Sequence, residues 1–302
     1  MRKKNVTRRQ FLATIGAGAG TIIFGTATSA MMSCRTSSSS EALRIISLGN
    51  TGIKTTLLGM GTGFNGGNRS SNITRAGTAE SVIRSAFDKG IRYFDCADSY
   101  GTHPFTAKAL KEIPRDKYTL CTKIWRTPGT IPESERPDAD IVIDRFRKEL
   151  NTDYLDIVQI HCMTSAEWTN EQKKQMDILE TLKSKGIIRA HGVSVHSFEA
   201  LEAAAASPWV DIIHVRINPF GAAMDSKDPA QVTPVIEKMH KSGKGIIGMK
   251  LIGGGNFRND QEKIDQSLKF VLGLGTVDMI IVGFEQPEQI DNYVARIERA
   301  VK

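Results

Sequence analysis

The chain has 302 residues, 40% of them hydrophobic, and a formal net charge of +7. That length and hydrophobic content suit one α/β barrel or two smaller domains. The charge is unevenly placed, because the first 33 residues hold five basic residues and no acidic one. Subtracting those five leaves +2 for the body, which excludes an electrostatic reason to expect a nucleic-acid partner.

The N-terminal segment has the order of an export signal. Residues 1–10 are basic, and Thr7-Arg8-Arg9-Gln10-Phe11-Leu12 resembles the twin-arginine motif of bacterial secretion. Residues 12–30 follow as an uncharged, weakly apolar stretch rich in Gly, Ala and Thr. A permanent transmembrane anchor is the alternative, but the glycines and low hydrophobicity disfavour it. We expect export by the twin-arginine machinery.

The end of this segment leaves two possibilities open. Thr28-Ser29-Ala30 could serve an ordinary signal peptidase, whereas Met31-Met32-Ser33-Cys34 resembles a degenerate lipobox with Cys34 as a lipid anchor. The predicted division is therefore a signal peptide over 1–34, a flexible tether over 35–42 and a body over 43–302. The product would be periplasmic or a membrane-anchored lipoprotein.

The body alternates short apolar runs with amphipathic segments. Two short strands flank the turn signal Gly49-Asn50-Thr51-Gly52, and residues 57–61 form the next strand. Further strands are predicted near 91–95, 118–123, 155–160, 190–195, 212–217, 245–251 and 279–282. Helices are predicted near 78–88, 105–112, 139–150, 170–184, 198–206, 229–241, 261–272 and 287–301. Eight strand–helix units of this kind predict a single α/β domain, a closed parallel (β/α)8 TIM barrel. A doubly wound sheet is the competing fold, but no Gly-x-Gly-x-x-Gly follows an early strand.

Four polar residues fall at or just after the ends of three neighbouring strands. They are Asp95, Tyr100, Lys123 and His161. In a parallel barrel the carboxyl ends of the strands form one rim that holds reacting groups. We therefore expect the four to converge. The three body cysteines, Cys96, Cys121 and Cys162, lack zinc or disulfide spacing, so no metal site is predicted and core packing is expected of them.

The chain resembles the aldo-keto reductases, a (β/α)8-barrel family that reduces aldehydes and ketones with NAD(P)H. The matching segments are Leu48–Gly52 with Gly59–Thr62, Phe94–Gly101, Thr122–Trp125, Asp153–His161 and Lys185–Ser194. The resemblance implies that the first hairpin caps the barrel bottom. It also implies that Tyr100 is the general acid, that Lys123 lowers the pKa of Tyr100, that Asp95 holds Lys123, and that His161 donates to the substrate oxygen.

The resemblance further implies a nicotinamide cofactor site, with departures. The implied contacts are Gly61, Thr62, Ser194, His214, Met249, Lys250, Gly253, Gly283, Phe284 and Gln289. Val195, His214 and Met249 stand where the family usually has Asn, Gln and an aromatic residue. The family reads the 2′-phosphate of NADP with Lys and Arg after the eighth strand, but residues 283–289 hold two acids and no base. Repulsion of a phosphate there favours NAD(H) over NADP(H).

Phe64, Trp125 and Trp168 are candidate walls of the substrate pocket. The chain stops soon after the last helix, without the long C-terminal loop of many relatives, which indicates an open pocket for bulky carbonyl compounds or sugars. A cofactor-sensing barrel with little turnover is the main alternative function. A lyase that uses Lys123 to form a Schiff base is a third possibility.

Overall fold

The computed structural model describes residues 40–302, so the predicted signal peptide, Cys34 and most of the tether lie outside the described residues. Within this range, eight parallel strands close into a barrel, and a separate antiparallel hairpin precedes them. The predicted (β/α)8 barrel is thereby confirmed. No helix among residues 40–302 is long and apolar enough to cross a membrane.

The strands follow one another around the barrel in chain order, and the last pairs with the first. The hairpin consists of β1 (Ile45–Ser47) and β2 (Lys54–Thr56). The barrel strands are β3 (Leu58–Gly61), β4 (Tyr93–Asp95), β5 (Thr119–Trp125), β6 (Leu155–Met163), β7 (Ile188–Val195), β8 (Ile212–Arg216), β9 (Gly245–Met249) and β10 (Met279–Gly283). They are almost continuously buried, as strands covered on both faces must be.

Helices cover the outside of the barrel. They are α1 (Asn72–Arg75), α2 (Ala79–Asp88), α3 (His103–Ala109), α4 (Ala139–Leu150), α5 (Trp168–Glu171), α6 (Lys173–Ser184), α7 (Phe198–Ala206), α8 (Pro229–Lys241), α9 (Gln261–Gly273) and α10 (Pro287–Ala300). Side-chain caps begin three of them: Ser197, Asp228 and Asp260 each accept a hydrogen bond from a backbone N–H of the first turn.

The hairpin closes the end of the barrel where the strands begin. Gly49 N donates to the carboxylate of Asp278, just before β10, at 3.2 Å. Asn50 N donates to Gly243 O, just before β9, at 2.8 Å. Leu48 and Ile53 are fully buried beneath the hairpin. The expectation that the hairpin caps the barrel bottom is confirmed, and the opposite end stays available for ligands.

The differences from the predicted elements are local. The loop expected over 62–77 contains the one-turn helix α1, at whose start Ser71 N donates to Thr74 Oγ1 at 2.7 Å. The helix expected over 170–184 is two helices, α5 and α6, with a break at Gln172. Tyr100 lies in a 3-10 turn, Asp98–Tyr100, that ends at Gly101 with a left-handed φ of 67°.

Candidate active site

A buried ion pair joins the second and third barrel strands. Asp95 is the last residue of β4, and Lys123 lies in β5. Lys123 Nζ is 2.6 Å from each carboxylate oxygen of Asp95 and donates to Cys96 O at 3.0 Å. The two side chains are only 2% and 5% exposed. The pairing holds the pKa of Asp95 far below its usual range and raises the pKa of Lys123, so both remain charged at neutral pH.

The phenol of Tyr100 lies next to this pair. Its Oη is 3.4 Å from Nε2 of His161, which is part of β6. Lys123 Nζ lies 5.3 Å from the centre of the Tyr100 ring. The four predicted residues therefore come together at the carboxyl ends of the strands, as expected.

The pKa of Tyr100 differs from the expectation. Lys123 does lower it, but burial has the larger and opposite effect, and the net result raises the pKa of Tyr100 to about 12. The prediction of a net lowering is therefore wrong, because desolvation of the phenolate outweighs one nearby ammonium. Tyr100 accordingly keeps its proton at neutral pH.

His161 is neutral at neutral pH. Burial, followed by repulsion from Lys123, holds the pKa of His161 well below its usual range. Its Nδ1 has no hydrogen-bond partner within residues 40–302. The ring of Trp125 packs edge-on against His161 with a centroid distance of 5.2 Å. Trp125, a predicted substrate wall, is thus placed beside the reacting groups.

A cavity of about 470 Å³ opens from these residues. It begins at Asp95 and Tyr100, passes the end of β9, and reaches the start of α10. The predicted cofactor residues that line it are Gly61, Met249, Lys250, Gly283 and Gln289, and the predicted substrate wall Phe64 lines it as well. Its volume lies in the range of about 300–1,000 Å³ that is usual for small-molecule sites.

Three other predicted cofactor residues serve the framework of the site. Thr62 Oγ1 donates to Asp95 O at 2.7 Å. Ser194 Oγ accepts from Cys162 N at 2.9 Å, where the backbone of Cys162 has a left-handed φ of 64°. His214 points into the barrel, and its Nε2 is 3.1 Å from Asp95 Oδ1. None of the three lines the cavity.

The side chain of Phe284 is not brought to the cavity. It is 1% exposed and packs edge-on against Tyr293, with a centroid distance of 5.7 Å. Gly253 is buried behind the cavity, where an added Cβ would lie 3.0 Å from the ring of Phe257. A cofactor contact through the Phe284 side chain is therefore wrong, because that ring belongs to the packing of α10.

The prediction that Trp168 forms a substrate wall is also wrong. Trp168 is 0% exposed. Its Nε1 donates to Ala200 O at 3.2 Å, and its ring packs against Trp209. The indole fills the space between α5 and α7, which binds the loop after β6 to the neighbouring helix.

The sequence reasoning missed several residues near the cavity. Arg258, Glu288 and Asn292 line it. Arg258 follows the glycine run 253–255 by three residues, and a base behind a glycine-rich turn is a recognisable signal for anion binding. Arg216 ends β8 and pairs with Asp225 at 2.6 Å. Its position at a strand end is the one sequence signal that could have placed it near the site.

One buried set has the atom types of a metal site. Ligand atoms of Asp95, Cys121 and His214 lie within 4.8 Å of one another. The ammonium of Lys123 already occupies both oxygens of Asp95. Burial also raises the pKa of the Cys121 thiol, which disfavours the thiolate that a metal requires. This set is therefore poorly suited to a cation.

The fold and the site together define a (β/α)8 barrel with a phenol and a buried ion pair at one end of a ligand-sized cavity. The model of the aldo/keto reductase family matches residues 57–270, and the chain belongs to that family.

Individual relatives agree with this assignment. An aldo-keto reductase of Bacillus subtilis, YhdN, is 30% identical over 189 residues, which cover 59% of this chain and 55% of the relative. The NADH-specific methylglyoxal reductase of Escherichia coli is 25% identical over 207 residues, covering 61% of this chain and 62% of the relative. The chain thus matches between half and two thirds of the length of these relatives. The holo form of an aldo-keto reductase from Bacillus halodurans has the same fold, with a TM-score of 0.66 at 19% identity over 85% of this chain and 91% of that one.

Proposed function

We propose that this protein is an NAD(P)H-dependent oxidoreductase that reduces an aldehyde or ketone to an alcohol. One observation carries the proposal: the Tyr100 hydroxyl lies 3.4 Å from His161 Nε2, beside the Lys123–Asp95 pair, at the inner end of a cavity of about 470 Å³. Family membership supports the same reaction class.

The cavity fits a dinucleotide. Glycines line it at 61, 63, 254, 255 and 283, and they leave room for a ligand close to the backbone. Arg258 also lines it and forms no salt bridge within the described part of the chain. A cation without a carboxylate partner suits the phosphates of a cofactor. The residues that would hold it are thus Gly61, Met249, Arg258 and Gly283.

The reduced nicotinamide, when bound, supplies a hydride to the carbonyl carbon. Tyr100 then gives its phenolic proton to the carbonyl oxygen as general acid. A pKa of about 12 makes Tyr100 a weak acid, but the alkoxide is a stronger base than the phenolate, so the transfer still runs downhill. Lys123 stabilises the phenolate that remains, and Asp95 holds Lys123 in place. The neutral His161 can donate through Nε2 to the same carbonyl oxygen and orient it.

The test is Tyr100→Phe, assayed for carbonyl reduction and for cofactor binding. We expect a loss of turnover of at least about a hundredfold, since general acid catalysis contributes about 10²–10⁴. Cofactor affinity should be retained, because only one hydroxyl is removed. Turnover equal to that of the wild type would refute the role of Tyr100.

A sensing barrel with little turnover is the second candidate, and the orientation of His214 favours it. At the position of a usual cofactor contact, His214 points to Asp95 and does not line the cavity. Steady-state turnover on a panel of aldehydes separates the two functions. The Schiff-base lyase is disfavoured, because a lysine held as an ammonium between two carboxylate oxygens is a poor nucleophile.

We propose NAD(H) as the preferred cofactor. Glu285 and Glu288 line the cavity near the start of α10, and acids there repel a 2′-phosphate. The NADH-specific relative supports this choice. Arg258 and Lys250 are opposing features, since each places a base in the same cavity. Calorimetric titration with both cofactors, repeated on Glu285→Gln, is the measurement; tighter binding of NADP(H) by the wild type would contradict the proposal.

We further propose that the protein is exported by the twin-arginine route with its cofactor already bound, and that Cys34 is a lipid anchor. The proposal rests on the motif at 7–12 and the lipobox-like segment 31–34. Mass spectrometry of the protein from its native host would detect both the nucleotide and an N-terminal lipid. An intact N-terminus on cytoplasmic protein would contradict it. We also propose sugar-like or bulky carbonyl compounds as substrates for the cavity of about 470 Å³.

A further inference from the structure

Lys250 is an uncompensated cation in the same cavity as Tyr100. It directly follows β9, is half-buried, and lines the cavity. Within residues 40–302 no carboxylate lies within salt-bridge distance of its Nζ, and no hydrogen bond from that Nζ is formed. A half-buried ammonium without a partner is unfavourable, and an anionic ligand would relieve it.

The backbone holds Lys250 in an unusual conformation. Its φ is 61°, in the left-handed region that costs a residue with a side chain free energy. Asn218 Nδ2 fixes this geometry by donating to Lys250 O at 3.1 Å and to Ala222 O at 2.7 Å. The loops after β8 and β9 are thereby joined around Lys250. Such over-determined strain is typical of positions that present a side chain to a ligand.

The other two cations that act on Lys250 are each paired with a carboxylate. Lys123 is paired with Asp95, and Arg216 with Asp225. Two nearby histidines add no positive charge, because burial lowers the pKa of His196 to about 3 and that of His161 well below its usual range. Burial and then Arg216 lower the pKa of Lys250. The ammonium therefore gains more from an incoming anion than a solvated lysine would.

The position of Lys250 points to the substrate end of the cavity. Arg216 pairs in register with Met249, the residue before Lys250, and Met249 lines the same cavity as Tyr100. The groups that act electrostatically on Lys250 are Arg216, Cys162, Lys123 and Asp95, which lie around the reacting groups. The other cation that lines the cavity, Arg258, is exposed, and its guanidinium lies 3.4 Å from Gly255 O.

We propose that Lys250 forms a subsite for an anionic group of the substrate, so that the enzyme prefers carbonyl compounds that carry a carboxylate or a phosphate a few bonds from the carbonyl. The inference rests on the proposed function and names its substrate class. Lys250 contributes a charge-assisted hydrogen bond to the anion, which orients the carbonyl toward Tyr100.

The experiment compares substrates in matched pairs: glyoxylate with methylglyoxal, glucuronate with glucose, and glyceraldehyde 3-phosphate with glyceraldehyde. The wild type should favour the anionic member of at least one pair in kcat/KM by about tenfold or more, as one charge-assisted hydrogen bond allows. If the wild type prefers only carboxylates or only phosphates, that preference identifies the anion, and either result supports the subsite. Equal kcat/KM values within all three pairs overturn it.

Lys250→Met removes the charge at similar volume, and Lys250→Arg keeps it. The ratio of anionic to neutral kcat/KM should fall about tenfold in Lys250→Met. It should persist in Lys250→Arg and in Lys269→Met, which removes an exposed lysine of α9. This ratio does not depend on how much of a variant is folded. An unchanged ratio in Lys250→Met overturns the proposal. If cofactor binding by that variant is also tenfold weaker, Lys250 serves the cofactor instead.

If the wild type reduces none of the six compounds, the proposed function fails but the subsite is still tested. Calorimetric titration of the wild type with glyoxylate, glucuronate and glyceraldehyde 3-phosphate then decides. Binding of one of them that weakens about tenfold in Lys250→Met, with no such loss in Lys269→Met, supports the subsite. The absence of binding, or equal binding to both variants, overturns it.

Discussion

His214 Nε2 lies 3.1 Å from Asp95 Oδ1, deep in the barrel. The carboxylate that holds Lys123 therefore has a second partner, contributed by the opposite wall. His214 is 0% exposed, and burial lowers its pKa, so the neutral ring can donate to Asp95 through Nε2. The Nδ1 atom has no hydrogen-bond partner among residues 40–302. This bond holds the Lys123–Asp95 ion pair from the opposite wall of the barrel.

His214→Ala should remove that bond and leave Asp95 with fewer donors. We expect unfolding free energy to fall by about 1.5–3 kcal/mol, the usual range for a hydrogen bond to a charged group. The rate constant kcat should also fall, because Lys123 is held less firmly beside Tyr100. Urea unfolding and steady-state kinetics measure the two effects. His214→Gln, which restores a donor, is the control; a glutamine variant as impaired as the alanine variant would argue against the hydrogen bond.

Gly63→Ala should displace the phenol of Tyr100. A Cβ at this position would lie 2.3 Å from the Tyr100 ring, well inside contact distance. The ring must move, so kcat should fall by at least about tenfold, as small misplacements at a reacting centre are costly. Gly67→Ala, with nothing within 4 Å of its added Cβ, is the matched control in the same loop. Equal kcat in the two variants would show that the ring tolerates the shift.

The turn that carries Tyr100 is held by a second charge cluster. Arg145 binds both oxygens of Asp98 at 2.9 Å, and Arg69 Nε binds one of them at 3.2 Å. Asp98→Asn removes the charge that both guanidinium groups share. We expect a loss of about 1–3 kcal/mol in unfolding free energy and a lower kcat with little change in KM. Asp88→Asn is the control, because it breaks an exposed pair with Arg84 and should lower the free energy of unfolding by at most about 1 kcal/mol. A similar loss of unfolding free energy in both variants would exclude a special role for Asp98.

Acid should destabilise the protein below about pH 6.5. Burial, followed by Arg216 and Lys250, lowers the pKa of His196 to about 3 in the folded state, against about 6.5 when unfolded. Between pH 6.5 and pH 3 the unfolded chain therefore binds more protons than the folded protein. The contribution of the neutral His196 to the free energy of unfolding is complete above pH 6.5 and is lost as the pH falls toward 3. Asp225, whose pKa burial raises to about 6, acts in the opposite direction.

The measurement is the melting temperature at pH 7 and pH 4.5. His196→Gln should lose less between these two values than the wild type, because it lacks the titrating ring. An identical decrease in both proteins would show that His196 does not contribute. Asp225→Asn is the counterpart, and we expect it to lose more than the wild type over the same interval.

The barrel and the four reacting residues were predictable because each has a local signal. Continuous apolar runs mark buried parallel strands. Asp95 ends β4, and Lys123 and His161 lie two residues before the ends of β5 and β6, so three strands that are neighbours in sequence bring them together. Trp168 was misassigned for the opposite reason. Nothing in its local sequence shows that the indole turns inward to reach Ala200. The pKa of Tyr100 likewise depends on how much protein surrounds the ring, which no spacing reveals.

The roles of His214 and Lys250 were equally hidden from the sequence. Both were placed by resemblance at cofactor positions, yet the partner of His214 is 119 positions away in the chain, and Lys250 is notable for the partner it lacks. Contacts between side chains on opposite walls of a barrel depend on strand register and tilt. Those are properties of the closed structure as a whole.

The hairpin of β1 and β2 has a consequence for where ligands can bind. It covers the amino ends of the strands, and core side chains fill the barrel interior behind it. Two ligands bound at the same time would therefore have to share the rim at the carboxyl ends of the strands.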